Sequence, residues 1–167
     1  MTSISMARRS DAGELAALRT AVSRSMTLRF GEGHWSAEPG RAEILRQLRA
    51  SQVLVAREAD AIVGTVRLVR PLTGVFDSSP FTPVAEPWYV LGLAVAPECR
   101  ERGVGRQLMD AAKEHARSRR GEALWLDAYE HAAGAGPFYE KCGFRKVGRA
   151  EYRDIPLAYY EWLATER

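Results

Sequence analysis

Residues 88–107, WYVLGLAVAPECRERGVGRQ, contain the pattern that decides the fold. The first part, Trp88–Val95, is nearly all apolar, which is typical of a central strand buried on both faces of a sheet. A helical pattern follows from about Val104 to Arg119, and its apolar stripe consists of Val104, Leu108, Ala112 and Ala116. This segment therefore predicts a buried strand, a glycine-containing loop and an amphipathic helix, in that order.

The loop between this strand and helix, Arg100-Glu101-Arg102-Gly103-Val104-Gly105-Arg106, has the composition of an anion site. The first turn of a helix carries N–H groups without intrahelical partners and the positive end of the helix dipole. Gly103 and Gly105 lack side chains that would keep a phosphate from the backbone. A Walker loop would need Lys-Ser/Thr where Arg106-Gln107 stands, and a dinucleotide fingerprint would need glycine at Leu108. The pattern indicates a pyrophosphate ligand, and the alternative is a tight turn that uses glycine for geometry alone.

Patterns on both sides of this segment predict a mixed sheet. Further helices are predicted from about Asp11, over Arg41–Leu48 and over Pro137–Cys142. Further strands are predicted over Ile4–Arg8, Val53–Arg57, Ile62–Val69, Ala123–Ala128, Arg145–Tyr152 and Ala158–Trp162. Early helices, an antiparallel meander and a strand–helix–strand unit together predict an α/β (mixed α+β) fold. Since no linker, repeat or low-complexity stretch interrupts the chain, we expect a single domain over residues 1–167.

Composition excludes several classes of protein. Hydrophobic residues make up 46% and charged residues 27%, as in an ordinary globular domain, and a net charge of +3 is too small to indicate nucleic-acid binding. No apolar run approaches the roughly 20 residues that span a bilayer, and the N-terminus lacks the apolar core of a signal peptide. We therefore expect a cytoplasmic protein without nucleic-acid or membrane partners. Cys99, Cys142 and three scattered histidines show no metal-ligand spacing, so no metal is expected.

Two motifs in this order resemble those of the GNAT superfamily of acetyltransferases. Leu93-Ala-Val95-Ala-Pro97 followed by Arg100-x-x-Gly103-x-Gly105 is similar to the strand and phosphate loop of the family. Phe138-Tyr139-x-x-x-Gly143-Phe144 is similar to the short helix that follows later in the chain. The resemblance spans roughly residues 88–148. It implies acetyl-CoA as co-substrate and a GNAT-like, mostly antiparallel sheet of about six to seven strands with about four helices.

The resemblance also implies which residues contact acetyl-CoA. The backbone of Leu93, Ala94 and Val95 would hold the pantetheine arm and the acetyl carbonyl, and Tyr139 would lie near the sulfur. Many members carry Asn seven residues before that tyrosine, whereas this chain has Ala132, so that contact is lost or is supplied by backbone or by His131. The complete set of implied cofactor residues is Leu93, Ala94, Val95, Arg100, Glu101, Arg102, Gly103, Val104, Gly105, Arg106, Phe138 and Tyr139.

Acetyl transfer to an amine makes demands that single out two catalytic candidates. An alkyl amine with a pKa of about 10.4 must lose a proton before it attacks, so a base is needed. Asp127 follows the apolar run Leu124-Trp-Leu and could be that base, could bind a cationic amine, or could be a solvated strand-end residue. Tyr139 is the candidate acid for the departing thiolate, and its alternative is a packing aromatic. The Val95 amide is the candidate donor to the developing oxyanion.

The sequence gives fewer indications of the acceptor than of the cofactor. His34, Trp35 and Tyr129 are candidate substrate contacts, because the loop at residues 31–36 lies where the superfamily covers its acceptor pocket. The alternative for that loop is a Trp35 anchored in the core beside a solvated His34. We expect an N-acetyltransferase acting on a primary amine of a small-molecule acceptor, as a monomer or homodimer. The alternatives are an acetyl-CoA-binding sensor or partner module without catalysis, and a protein N-terminal or lysine acetyltransferase.

Overall fold

A computed structural model of the chain describes residues 1–72, 74 and 76–165. The described part forms four α-helices: α1 (Ala12–Phe30), α2 (Arg41–Ala50), α3 (Val104–Ser118) and α4 (Gly136–Lys141). Its seven strands are β1 (Ser3–Met6), β2 (Gln52–Glu58), β3 (Ala61–Val69), β4 (Pro87–Val95), β5 (Ala123–Tyr129), β6 (Arg145–Tyr152) and β7 (Ile155–Leu163). The strand order is β1-β2-β3-β4-β5-β7-β6. Strands β4 and β5 run parallel, whereas the β1–β2, β2–β3, β5–β7 and β6–β7 pairs are antiparallel. The predicted mixed, mostly antiparallel sheet is confirmed.

The largest difference in strand boundaries lies at the last hairpin. Strand β7 begins at Ile155 instead of Ala158, although Pro156 argues against a strand at that position. Arg153 and Asp154 both have positive φ, of 48° and 65°, and Tyr152 pairs with Ile155. Two consecutive residues of this kind form the tight turn that matches the twist of a hairpin. Strand β7 therefore begins directly after the turn, and Pro156 is its second residue.

The chain forms two compact units, which are described separately. The first contains Met1–Leu68 and Leu91–Ala112, and the second contains Val69–Val90 and the chain from Lys113 onward. Strand β4 and helix α3 each contribute to both. A single domain over residues 1–167 remains a prediction. None of the helices in the described part of the chain is long and apolar enough to cross a membrane.

In the first unit, β3 and α3 approach each other closely. A Cβ at Gly64 would lie 2.9 Å from Cδ1 of Leu108 and 3.1 Å from Cγ1 of Val104. Only a residue without a side chain allows this contact without a shift of the helix. Val104 and Leu108 are almost completely buried. The predicted inner stripe of α3 therefore fixes the beginning of that helix against β3.

In the second unit, an aromatic cluster fills one side of β5. Trp125 stacks on Phe81 with ring centroids 4.5 Å apart, and Phe81 meets Tyr89 and Tyr159 edge-on. The strand residues Leu124 and Leu126 are also buried. This core explains why β5 reads as a nearly continuous apolar run that stops at Asp127.

Candidate functional site

The predicted phosphate loop leads directly into α3. Glu101 and Gly103 have positive φ, of 62° and 83°, and residues 101–103 are exposed. No heavy atom lies within 4 Å of the position that a Cβ would take at Gly103. The N–H groups of the first turn of α3, which begins at Val104, have no intrahelical acceptors. The loop therefore has the open backbone that a diphosphate needs, and the residues present fit the phosphates of a coenzyme A derivative.

Two of the loop arginines are held by other residues of the first unit. Arg100 donates to Oγ of Ser25 at 3.1 Å. Arg102 forms an ion pair with Glu58 at 2.9 Å, which neutralises part of the positive charge predicted here. Of these two, only Arg102 has its charge neutralised, and the backbone N–H groups and the helix dipole add to the attraction of the loop for an anion.

Strand β4 is distorted just before the residues assigned to the pantetheine arm. Gly92 has a φ of +61°, and its carbonyl accepts a hydrogen bond from Nη1 of Arg19 at 2.7 Å. Leu93 and Val95 are half-buried, and Ala94 is buried. The amide of Ala96 donates to the carbonyl of Val63 at 2.8 Å, which re-establishes contact with β3. Leu93, Ala94 and Val95 thus follow a backbone irregularity that the sequence marks with a glycine.

The second unit contains the catalytic candidate Asp127, whose carboxylate is exposed and accepts a hydrogen bond from the hydroxyl of Tyr89. Among residues 1–72, 74 and 76–165, no cation forms an ion pair with it. Burial, followed by the negative charge of Asp127, raises the pKa of each of four tyrosines: Tyr89, Tyr129, Tyr139 and Tyr159. Asp127 is therefore an unneutralised carboxylate near several phenols that stay protonated at neutral pH. That environment suits a cationic amine.

Tyr139, the candidate acid, lies on α4 and is 8% exposed. Its ring contacts those of Phe138 and Phe144, with centroids 5.3 and 5.9 Å away. Burial and, secondarily, the charge of Asp127 raise the pKa of Tyr139. The phenol therefore keeps its proton at neutral pH, as a donor must, while the raised pKa makes it a weaker acid than a free phenol. Packing and proton donation, the two interpretations of Tyr139, are both compatible with this position.

The candidate acceptor residues lie in different places. His34 and Trp35 form a short 3-10 turn with Ser36, and the indole N–H of Trp35 donates to the carbonyl of Gly31 at 2.9 Å. Trp35 is half-buried and meets the ring of Phe30 edge-on. Tyr129 ends β5 in the second unit and is half-buried. A role in substrate binding for these three residues stays a prediction.

Comparison with known proteins identifies the family of this chain. The model of the acetyltransferase (GNAT) family matches residues 16–144. The chain belongs to this family. No curated protein matches the sequence. The family match includes the phosphate loop, Asp127 and Tyr139, so the predicted family is confirmed over most of the chain.

Solved structures show the same fold at low sequence identity. Aminoglycoside 6'-acetyltransferase type Ii is 20% identical, with a TM-score of 0.73 and coverage of 99% of both chains. Ribosomal-protein-alanine N-acetyltransferase from Brucella melitensis is 18% identical, with a TM-score of 0.75 and coverage of 96% of this chain and 99% of that one. The acetyltransferase yncA from Salmonella typhimurium, solved with its cofactor acetyl-CoA, is 16% identical, with a TM-score of 0.74 and coverage of 100% and 96%. At these identities the likeness establishes the GNAT fold alone.

Sequence reasoning missed one part of this GNAT protein, a small pocket in the first unit. Two arginines contribute to its wall, Arg19 from α1 and Arg67 from β3. The available signal was Arg67 itself, a charged residue inside the apolar strand pattern Ile62–Val69. Neither His34 nor Trp35 lines this pocket. Its lining residues are Leu15, Arg19, Ile44, Gln47, Leu48, Val53, Thr65, Arg67 and Gly92.

Proposed function

We propose that this GNAT protein is an acetyl-CoA-dependent N-acetyltransferase that transfers the acetyl group directly to a primary amine of a small-molecule acceptor. The observation that carries the proposal is the exposed loop at residues 101–103 immediately before α3, where a diphosphate fits. Membership of the acetyltransferase family supports an acyltransferase reaction. The similar yncA structure holds acetyl-CoA, which supports this co-substrate.

Acetyl-CoA would supply an activated acetyl thioester, and residues of this chain would supply binding and proton transfer. The loop at residues 100–106 binds the diphosphate, and the backbone of residues 93–95 orients the acyl end, with the Val95 amide donating to the acetyl oxygen. Asp127 attracts the ammonium form of the acceptor and accepts its proton, because no counter-charge within the described residues neutralises it. As the bond from the acceptor nitrogen to the acetyl carbon forms and the carbon–sulfur bond breaks, Tyr139 donates a proton to the departing sulfur, and the second proton lost by the nitrogen restores the Tyr139 phenol.

A narrow pocket in the first unit is the structural feature behind the choice of a small-molecule acceptor. Among the similar structures, one is named for aminoglycosides and another for a ribosomal-protein alanine, so their names favour neither class of acceptor. The free space inside the pocket is about that of one water molecule, which admits a single small group of an acceptor and no peptide segment. Its lining comes from α1, α2 and three strands.

The proposal is tested first by calorimetric titration of the wild type and a Gly105→Glu variant with acetyl-CoA. We expect micromolar binding by the wild type and a loss of at least about 100-fold in the variant, because a carboxylate would occupy the diphosphate position. Gly13→Glu is the matched control, since Gly13 is exposed and no heavy atom lies within 4 Å of its Cβ position. A folded wild type that binds neither acetyl-CoA nor other acyl-CoAs would refute the proposal.

A Tyr139→Phe variant then separates catalysis from the alternative of a silent binding module. Coenzyme A release is followed with a panel of primary amines. We expect unchanged affinity for acetyl-CoA and transfer slowed by about 100-fold, since the variant keeps the ring packing but removes the proton donor. Tight acetyl-CoA binding without wild-type turnover on any amine would favour the binding module.

A further inference from the structure

Two arginines of the first unit converge on one point of the pocket. A Cβ at Gly92 would lie 2.9 Å from Nη1 of Arg19 and 3.3 Å from Nε of Arg67. The two guanidinium groups thus occupy the space that the missing side chain leaves, and both line the pocket. Arg19 and Arg67 are only partly exposed. Two positive charges consequently share one partly buried cavity.

No acidic side chain of the described residues forms an ion pair with these arginines. Arg19 uses one N–H for the carbonyl of Gly92, and the buried Nε of Arg67 has no hydrogen-bond partner in the same part of the chain. Glu43 attracts Arg67 from a longer distance, but its carboxylate is bonded to Arg46 and Gln47. Several donors therefore remain available to a ligand.

Burying two like charges without a partner is unfavourable. Burial lowers the pKa of both arginines, and the charge of Arg19 further lowers the pKa of Arg67. Both groups nevertheless stay protonated, because arginine titrates far above physiological pH. An anion that entered the pocket would remove this cost and would satisfy the open donors. A carboxylate suits this pair of arginines, since its planar geometry matches the guanidinium fork.

We propose that Arg19 and Arg67 bind a carboxylate of the acceptor, so that the acceptor is an amine that also carries a carboxylate, such as an amino acid. This inference rests on the proposed transfer reaction. The carboxylate would lie beside Gly92, directly before the backbone at residues 93–95 that is proposed to orient the acetyl group. The rest of the pocket wall includes Leu15, Ile44, Leu48 and Val53, which surround the two arginines with apolar side chains.

Matched amine pairs test the proposal directly. Leucine is compared with isopentylamine, and phenylalanine with phenethylamine, so that each pair differs only in the carboxylate. We expect the wild type to prefer the carboxylated member by at least about tenfold in kcat/KM. In Arg67→Gln, KM for that member should rise by about 30-fold, while the decarboxylated amine is unaffected. Arg67→Lys, which keeps the charge but not the fork, should lose less.

Controls separate this proposal from the proposed function. Arg49→Gln removes the same charge from an exposed position of α2 and should leave both members of a pair unchanged. Acetyl-CoA affinity should be equal in the wild type and Arg67→Gln, and a weaker affinity would assign the anion to acetyl-CoA and overturn the proposal. Equal use of both pair members would also overturn it. Leucine at millimolar concentration should raise the Tm of the wild type but not of Arg67→Gln, a readout independent of turnover.

Discussion

Arg67 in the first unit and Glu161 in the second are both charged residues of otherwise apolar strands, and their surroundings are opposite. Glu161 is 1% exposed, accepts hydrogen bonds from the amide and hydroxyl of Thr82 at 2.8 and 2.6 Å, and pairs with Arg145 at 2.8 Å. Arg67 lies beside a second arginine, and its buried Nε has no acceptor within the described residues. A charge that the fold neutralises contributes to stability, whereas a charge left without a partner points to a ligand.

Asp127 is a third case and resembles Arg67 more than Glu161. It also interrupts an apolar strand, and within the described residues no cation pairs with it. Its one neutral donor, the hydroxyl of Tyr89, leaves the negative charge in place. The comparison therefore predicts that neutralising Asp127 lowers activity and that neutralising Glu161 lowers the free energy of unfolding. Neutralising Arg67 should instead leave the free energy of unfolding unchanged or raise it.

The largest effect is expected for Asp127→Asn. Asparagine keeps the size of the side chain and an acceptor for Tyr89, but it can neither take a proton nor attract an ammonium group. We expect kcat/KM for an amine acceptor to fall by about 1,000-fold, with Tm and acetyl-CoA affinity nearly unchanged. Asp60→Asn, an exposed turn residue, is the control. Full activity of Asp127→Asn would place Asp127 among solvated strand-end residues.

Glu161→Gln should have the next largest effect, and on stability. The neutral amide loses the ion pair between the buried position 161 and the half-exposed Arg145, so the free energy of unfolding should fall by about 2 kcal/mol at pH 7, measured by urea denaturation. Glu151→Gln, on the exposed part of β6, should change little. Once folded, Glu161→Gln should retain the wild-type kcat/KM. A loss of activity without a loss of stability would mean that Glu161, like Arg67, acts on a ligand and does not stabilise the fold.

The same cluster predicts an acid-dependent loss of stability in the wild type. Burial disfavours the charged form of Glu161, but hydrogen bonds from Thr82 and Arg145 outweigh it, and the pKa is lowered. A folded-state pKa below the unfolded value of about 4.3 means that the stabilisation is complete above that pH and is lost as pH falls through the folded value. The difference between the wild type and Glu161→Gln should therefore shrink below about pH 4.

These three residues also show which features of the protein could be predicted from its sequence. Patterns within one segment predicted each helix and strand, because hydrophobic period and glycine position report local structure. The sequence also predicted a phosphate loop at residues 100–106, because such a site depends on consecutive backbone amides. The pairing of Thr82 and Arg145 with Glu161, and the meeting of Arg19 with Arg67 at Gly92, join residues far apart in the chain. A charged residue in an apolar strand was visible, but whether it has a partner required the structure.

The smallest predicted effect has the opposite sign to that of Glu161→Gln. Arg67→Met removes a buried donor without an acceptor and the repulsion from Arg19, while methionine keeps a flexible apolar stem in the pocket. Without ligand, we expect the free energy of unfolding to stay constant or to rise by about 1 kcal/mol, measured by urea denaturation. Arg49→Met, on the exposed face of α2, controls for the charge change. A loss of more than about 2 kcal/mol would mean that the fold itself compensates Arg67 as it compensates Glu161, and the argument for an anionic ligand would then fail.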